Sequence, residues 1–206
     1  FNKMKINKED ITIVILAGGK SERMGGQDKG LLQINKKYII KHLYNICKEY
    51  SNEIYVNANR NLATYSEMGL IAWKDILENY QGPLAGMYTS LMNAKTKYVM
   101  TLPCDGPLVN HIYFKRMIDI NSNFDIRAAH DGNRIQPVYS LIQKDLLNNL
   151  KLFIDTGQRK IDKWYNQCNL ELVDFSDEKN IFININSQKD LIEYKKIINE
   201  NVKHYE

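Results

Sequence analysis

Apolar positions along the chain change period several times, and each change marks an element. Ile11 to Leu16 is an unbroken aliphatic and β-branched run that stops at Ala17-Gly18-Gly19, which predicts a strand buried on both faces and ended by a glycine turn. From Tyr38 to Tyr50 the residues Ile39, Ile40, Leu43, Ile46, Cys47 and Tyr50 recur at three- and four-residue intervals, the spacing of an amphipathic helix. Glu53 to Asn57 and Leu70 to Trp73 read as further strands. A helix from about Pro83 to Ala94 would bury Leu84, Met87 and Leu91, with Pro83 in the first turn, where its missing N–H does no harm. Tyr98 to Leu102 is another buried strand, stopped by Pro103-Cys104-Asp105-Gly106-Pro107, and Phe114, Met117 and Ile118 share one face of the helix after it.

Asp125 to His130 and Pro137 to Ile142 predict strands around a turn at Asp131-Gly132-Asn133, with two short helices between Asp145 and Gln167. Ile181 to Ile185 reads as a last strand, and Ser187 with Asp190 is a capping-box pattern ahead of a helix carrying Leu191, Ile192, Ile197 and Ile198. Strands alternating with helices through right-handed crossovers give a three-layer α/β fold with a mostly parallel sheet. Ligands of such sheets bind beyond the carboxyl ends of the strands, which selects residues 17–30, 57–60, 75, 103–107 and 184–186.

Composition narrows the classes. With 206 residues, 44% hydrophobic and 25% charged, the chain is expected to form one domain over residues 1–206. A net charge of +4 with scattered lysines gives nucleic acid little support and suits an anionic small molecule better. No apolar run approaches the roughly 20 residues needed to span a bilayer, and Phe1 to Asp10 is polar without a signal-peptide core, so a cytoplasmic protein with no membrane partner is expected. Cys47, Cys104 and Cys168 are an odd set without CxxC spacing, which argues against a disulfide framework and a zinc site.

The segment from Leu16 to Gly30 follows a strand and combines glycines with Lys20, Arg23 and Lys29. Without Cβ atoms its backbone can approach an anion closely, while Arg23 and Lys29 supply charge against phosphates. It contains neither GxGxxG nor GxxxxGK followed by Ser or Thr, so it is neither of the two commonest phosphate loops. Asp105 ends a buried strand where a carboxylate would face the same crevice, and is a candidate Mg²⁺ ligand, since Mg²⁺ takes hard oxygen donors and often only one or two carboxylates besides substrate phosphates. A turn or helix-capping role for Asp105, ahead of Pro107, is the plainer alternative.

The stretch LAGGKSERMGGQDKGLL resembles the nucleotide-binding signature of the molybdenum cofactor guanylyltransferases, in which LAGG, RMGG and DKG occur in this order. The resemblance continues through Asn57-Ala58-Asn59-Arg60, Gly82-Pro83-Leu84-Ala85-Gly86-Met87, Pro103-Cys104-Asp105, His130-Asp131-Gly132 and Ile183-Asn184-Ile185-Asn186, and so covers almost the whole chain. It implies a Rossmann-like nucleotide-diphospho-sugar transferase fold, a nucleotide-binding part at about 11–110 and a pterin-substrate part at about 111–206.

The implied activity is transfer of GMP from GTP to Mo-molybdopterin, with Mg²⁺ as cofactor and release of pyrophosphate. Lys29, Arg23 and Asp105 are the implied catalytic residues, and Leu16, Ala17, Gly18, Lys29, Asn57, Asp75 and Asp105 the implied GTP contacts. Asp75 could accept from the guanine edge or from ribose hydroxyls, or be a solvated loop charge. Asn59 and Arg60 could equally be a turn residue and a surface charge.

Asn184 and Asn186, two apart on the expected last strand, would share a face towards the metal or the pterin, and Arg134 could meet a pterin phosphate or simply occupy a hairpin turn. Gln136-Pro137 stands where related proteins often carry His-Pro. His130-Asp131 is more simply a turn than a general base. A monomer is expected, with transient contact to cofactor-insertion or molybdoenzyme chaperone proteins. Cytidylyl transfer to the same pterin, nucleotidyl transfer to a sugar phosphate, and a silent nucleotide-binding module on the same fold are the competing readings.

Overall fold

Apolar side chains on both faces put Ile11–Leu16 (β1) in the interior of the sheet, with Ile11, Ile13 and Ile15 entering one core and Val14 the other. The computed structural model describes residues 4–19, 28–34, 36–77, 82–120 and 122–201, and among these the main sheet has seven strands. After β1 come Glu53–Asn57 (β2), Ala72–Trp73 (β3), Tyr98–Pro103 (β4), Ile126–His130 (β5), Ile135–Gln143 (β6) and Leu170–Asp174 (β7). Their spatial order is β7-β5-β6-β4-β1-β2-β3, and all run parallel except β6, which is antiparallel to β4 and β5.

The helices are Ile39–Cys47 (α1), Leu62–Glu67 (α2), Pro83–Asn93 (α3), His111–Ile118 (α4), Leu147–Asp155 (α5), Ile161–Tyr165 (α6) and Gln188–Asn201 (α7). Leu84, Met87 and Leu91 of α3 pack with Leu150, Phe153 and Trp164 against the Val14 side of the sheet. Ile40, Leu43, Tyr65, Phe114, Met117 and Leu191, from α1, α2, α4 and α7, pack on the face of Ile11, Ile13 and Ile15. The expected three-layer, mostly parallel α/β architecture is therefore observed. Among the described residues no helix is long and apolar enough to cross a membrane.

Strand β6 is interrupted. Its partner steps from Ala129 to Ala128 while β6 steps from Gln136 to Ser140, so Pro137, Val138 and Tyr139 bulge out of the ladder. The Thr101 hydroxyl donates to the Val138 carbonyl at 2.7 Å and the Tyr165 hydroxyl to the Pro137 carbonyl at 2.7 Å, which satisfies oxygens that the ladder has lost. Proline is tolerated here because no ladder N–H is required of it.

Two expectations are corrected. Ile181 to Ile185 is not a strand: Lys179–Phe182 is a 3₁₀ turn, and the neighbouring residues Ile181 and Phe182 are both buried, a pattern that alternation cannot give. Strand β4 already has β1 and β6 on its two edges, so no ladder position remains beside it; instead the Ile185 N–H donates to the Asp105 carbonyl, at 2.8 Å, beyond the end of β4. The strand expected over Leu70 to Trp73 shortens to β3, an edge element. Strand β7 and helix α2 went unforeseen, since β7 is an edge strand with mostly exposed or half-buried residues and α2 buries only Tyr65.

Candidate active site

The ends of β1, β2 and β4 open into a cleft of about 690 Å³, a volume typical of small-molecule sites. Leu16, Ala17, Gly18 and Gly19 form its floor, and the ladder runs on past the strand ends: the Ala17 N–H donates to the Asn57 carbonyl at 2.8 Å and the Cys104 N–H to the Leu16 carbonyl at 3.0 Å. Arg23 lies outside the described residues. Lys29, in the short 3₁₀ turn Lys29–Leu31, projects across the cleft mouth, where its ammonium donates to Asp105 Oδ2 at 2.8 Å and to Asn186 Oδ1 at 2.6 Å.

On the opposite wall a polar knot joins three segments. Asn57, only 2% exposed, donates through Nδ2 to Asp75 Oδ1 at 2.9 Å and to the Trp73 carbonyl at 3.2 Å. Asn59 donates to Asp75 Oδ2 at 2.7 Å and accepts from the Asp75 N–H at 2.9 Å, so both carboxylate oxygens are oriented by amides. Arg60 donates to the Gly19 carbonyl at 3.1 Å. The structure thus joins Asn57 to Asp75, and adds Asn59 and Arg60, which sequence alone left undecided.

The first turn of α3 closes the cleft through Gly82, Pro83 and Gly86, presenting the positive end of a helix to whatever anion enters. A Cβ on Gly86 would lie 2.4 Å from Asn57 Oδ1, so only glycine lets α3 approach the knot. A glycine inside a helix pattern was the available signal for this contact.

A second cleft of about 360 Å³ adjoins the first, and the two share Pro103, Asp105 and Val138 as a common ridge. Arg134, Gln136, Tyr139 and Asn184 line it. Asn184 and Asn186 do not share a strand face as expected, because no strand forms there; Asn186 reaches Lys29 and Asn184 reaches the Tyr139 hydroxyl at 3.5 Å. The bulge of β6 is what turns Val138 and Tyr139 towards this ridge.

Asp131 belongs to the hairpin turn: Arg134 and Asn133 backbone N–H groups donate to it, and these bonds, with that of Gln136, hold its carboxyl down at about 2. Burial pushes the Cys104 thiol up, so it stays protonated beside Asp105 and offers no thiolate nucleophile. All three cysteines are free.

The donor set suits a hard divalent cation. Asp105 supplies one carboxylate and Asn184 and Asn186 supply amide oxygens, while no cluster of three or more His, Cys, Asp and Glu occurs among the described residues. One carboxylate with amide oxygens leaves most of the coordination shell to substrate phosphates and water, as Mg²⁺ prefers; it does not make a closed protein cage.

Comparison with known proteins gives the family of the chain and its fold relatives. The MobA-like NTP transferase domain matches residues 13–171. A molybdenum cofactor guanylyltransferase of Shewanella sediminis is 43% identical over 86% of this chain and 91% of its own length, and one of Vibrio parahaemolyticus is 40% identical over 88% and 93%. Among solved structures, the molybdopterin-guanine dinucleotide biosynthesis protein A of Archaeoglobus fulgidus superposes with a TM-score of 0.75 at 17% identity, covering 92% of this chain and 99% of its own. A nucleotidyl transferase of Methanothermobacter does so with a TM-score of 0.75 at 16% identity, over 93% and 98%. These two likenesses concern the fold, while the sequence relatives and the matched domain concern descent. The chain belongs to the MobA-like NTP transferase family, among its molybdenum cofactor guanylyltransferases, and is a nucleotidyltransferase.

Proposed function

We propose that the chain transfers GMP from GTP to the terminal phosphate of Mo-molybdopterin, giving the guanine dinucleotide form of the cofactor and pyrophosphate. The observation that carries this reading is the Lys29 ammonium bridging Asp105 and Asn186 where the two clefts meet. A nucleotide in the larger cleft and a phosphate ester in the smaller would meet at that ridge. On this reading residues 11–110 hold mainly the nucleotide and residues 111–206 mainly the pterin, within one domain and in a cytoplasmic setting.

The attacking group is a phosphate oxygen, already ionised near neutral pH, so the site needs orientation and charge stabilisation more than a general base. The oxygen forms a bond to the α-phosphorus of GTP, the bond from that phosphorus to the bridging oxygen breaks, and pyrophosphate leaves with the electron pair. Lys29 offsets the charge that builds on the α-phosphate and the leaving group, and Arg23 is assigned to the same task from its place in the glycine-rich loop. Leu16, Ala17 and Gly18 offer backbone close to the phosphates. Asn57 and Asp75 face the nucleoside, Asp75 being held by amides in one orientation. Asp105, with Asn184 and Asn186, would hold Mg²⁺, which supplies charge neutralisation to the phosphates when bound. Arg134 is assigned to the pterin phosphate in the smaller cleft.

The test is to incubate the protein with Mg²⁺, Mo-molybdopterin and each nucleoside triphosphate in turn, measuring pyrophosphate and dinucleotide. Turnover with GTP well above that with CTP is expected. Equal or greater turnover with CTP would overturn the guanylyl reading, and GTP binding with no turnover would favour a silent module.

A further inference from the structure

Next to Lys29 lies a carboxylate that lines neither cleft. Asp28 is 7% exposed and accepts three hydrogen bonds: from the Gly30 N–H at 3.1 Å, from Asn61 Nδ2 at 3.1 Å and from the Tyr65 hydroxyl at 2.8 Å. A buried carboxylate is costly unless such donors surround it, and here all three converge on the residue that caps the Lys29–Leu31 turn.

Asn61 gives up two local advantages to be there. Its backbone is left-handed, with φ at 55°, and its side chain makes no cap for α2, although it stands at that helix's N-cap. Tyr65 is fully buried on α2, and burial together with the Asp28 charge pushes its phenol up, so it remains a donor. Gly30 is equally constrained, since a Cβ there would lie 2.8 Å from the Tyr65 oxygen.

We infer that Asp28, Asn61 and Tyr65 form a positioning cluster that fixes the direction in which Lys29 leaves the chain and hence where its ammonium meets the reacting phosphate. Flexible side chains follow their backbone, and Lys29 sits in a turn of three residues whose N-terminal side-chain cap is Asp28. Asn61 comes from the segment that forms the opposite wall of the larger cleft. The segment Asn57–Asn61 holds Asp75 through Asn57 and Asn59, the glycine turn through Arg60, and Asp28 through Asn61. The amides that hold Asp75 and the one that holds Asp28 thus lie on one short loop. None of the three residues touches the larger cleft, so they act through Lys29. The inference rests on the phosphate role proposed above for Lys29.

A double-mutant cycle tests it, using the full chain with GTP, Mg²⁺ and Mo-molybdopterin. Asn61→Gly suits the left-handed backbone while removing the donor to Asp28, and Tyr65→Phe removes a second donor with little change of volume. Each is expected to lower kcat about tenfold or more, since a misplacement near 1 Å is enough for such a loss, measured at temperatures where each variant is folded. In a Lys29→Ala background the same two substitutions are expected to add nothing. Parental turnover in both single variants, beside a slow Lys29→Ala, would overturn the cluster. So would an undiminished penalty in Lys29→Ala, which would mean that the residues act by another route. A Lys29→Ala protein with parental turnover would instead remove the role on which the inference stands.

Discussion

The Lys29 ammonium donates to Asp105 Oδ2 at 2.8 Å although 76 positions separate the two in the chain. Both are mostly buried, with side-chain exposures of 19% and 16%, so the pair is less screened than a surface ion pair. In the proposed reaction this pair is the junction of nucleotide and pterin. Lys29→Ala is expected to lower kcat with GTP by about 10²- to 10³-fold, the loss usual for one preorganised charge-stabilising donor. Asp105→Asn should lower turnover similarly and raise the Mg²⁺ concentration needed for half-maximal rate. Steady-state kinetics over a Mg²⁺ series would show both effects, and unchanged rates in either variant would count against its assigned role.

Gly86 is the point at which a helix meets the Asn57 knot. The Cβ of an alanine there would lie 2.4 Å from Asn57 Oδ1 and 3.2 Å from a Leu16 methyl, and Asn57 is buried and held by its own hydrogen bonds to Asp75 and the Trp73 carbonyl. Gly86→Ala is expected to destabilise by about 1–3 kcal/mol, as overpacking usually does, and to weaken GTP binding about tenfold. Urea unfolding and calorimetric titration with GTP would read the two effects separately.

Asp131 makes the hairpin sensitive to acid. Its carboxyl lies at about 2, below the ordinary 3.8, because backbone N–H groups of Arg134 and Asn133 favour the anion. A depressed pKa in the fold means stabilisation that is complete above the ordinary value and is lost as pH falls through about 2. Asp131→Asn should therefore melt below the parent near neutral pH. The gap should close as the pH drops from about 3.8 towards about 2. A gap independent of pH would mean that the charge is not what holds the turn.

Trp164 anchors the α6 side of the core. It is fully buried, and its indole N–H donates to Asn149 Oδ1 at 2.8 Å. Trp164→Ala is expected to cost about 3–5 kcal/mol through cavity and lost transfer energy, while leaving the cleft residues untouched. Chemical denaturation would show the loss, and KM for GTP should stay near the parental value at temperatures where the variant is folded.

Period alone determined much of this protein. The run Ile11 to Leu16 and the three- and four-residue spacing after Tyr38 record burial on two faces or on one, and burial follows from local composition, so β1, β2, β4, α1 and α3 were legible along with the α/β class. The glycine-rich loop reads as a phosphate cradle from its residues alone, residues 20–27 of it lying outside the described residues, and its resemblance to a family supplied the base and the pterin. Tertiary structure alone decided the rest. Ile183-Asn184-Ile185-Asn186 alternates like a strand, yet its place beyond the end of β4 leaves no partner edge, and one hydrogen bond from Ile185 to Asp105 does what the ladder would have done. The bulge at Pro137, the left-handed Asn61 and the burial of Asp28 behind Lys29 depend on which segments meet in space. Hydrogen bonds between residues far apart in the chain leave no period in the sequence, and those bonds aim the side chains of the cleft.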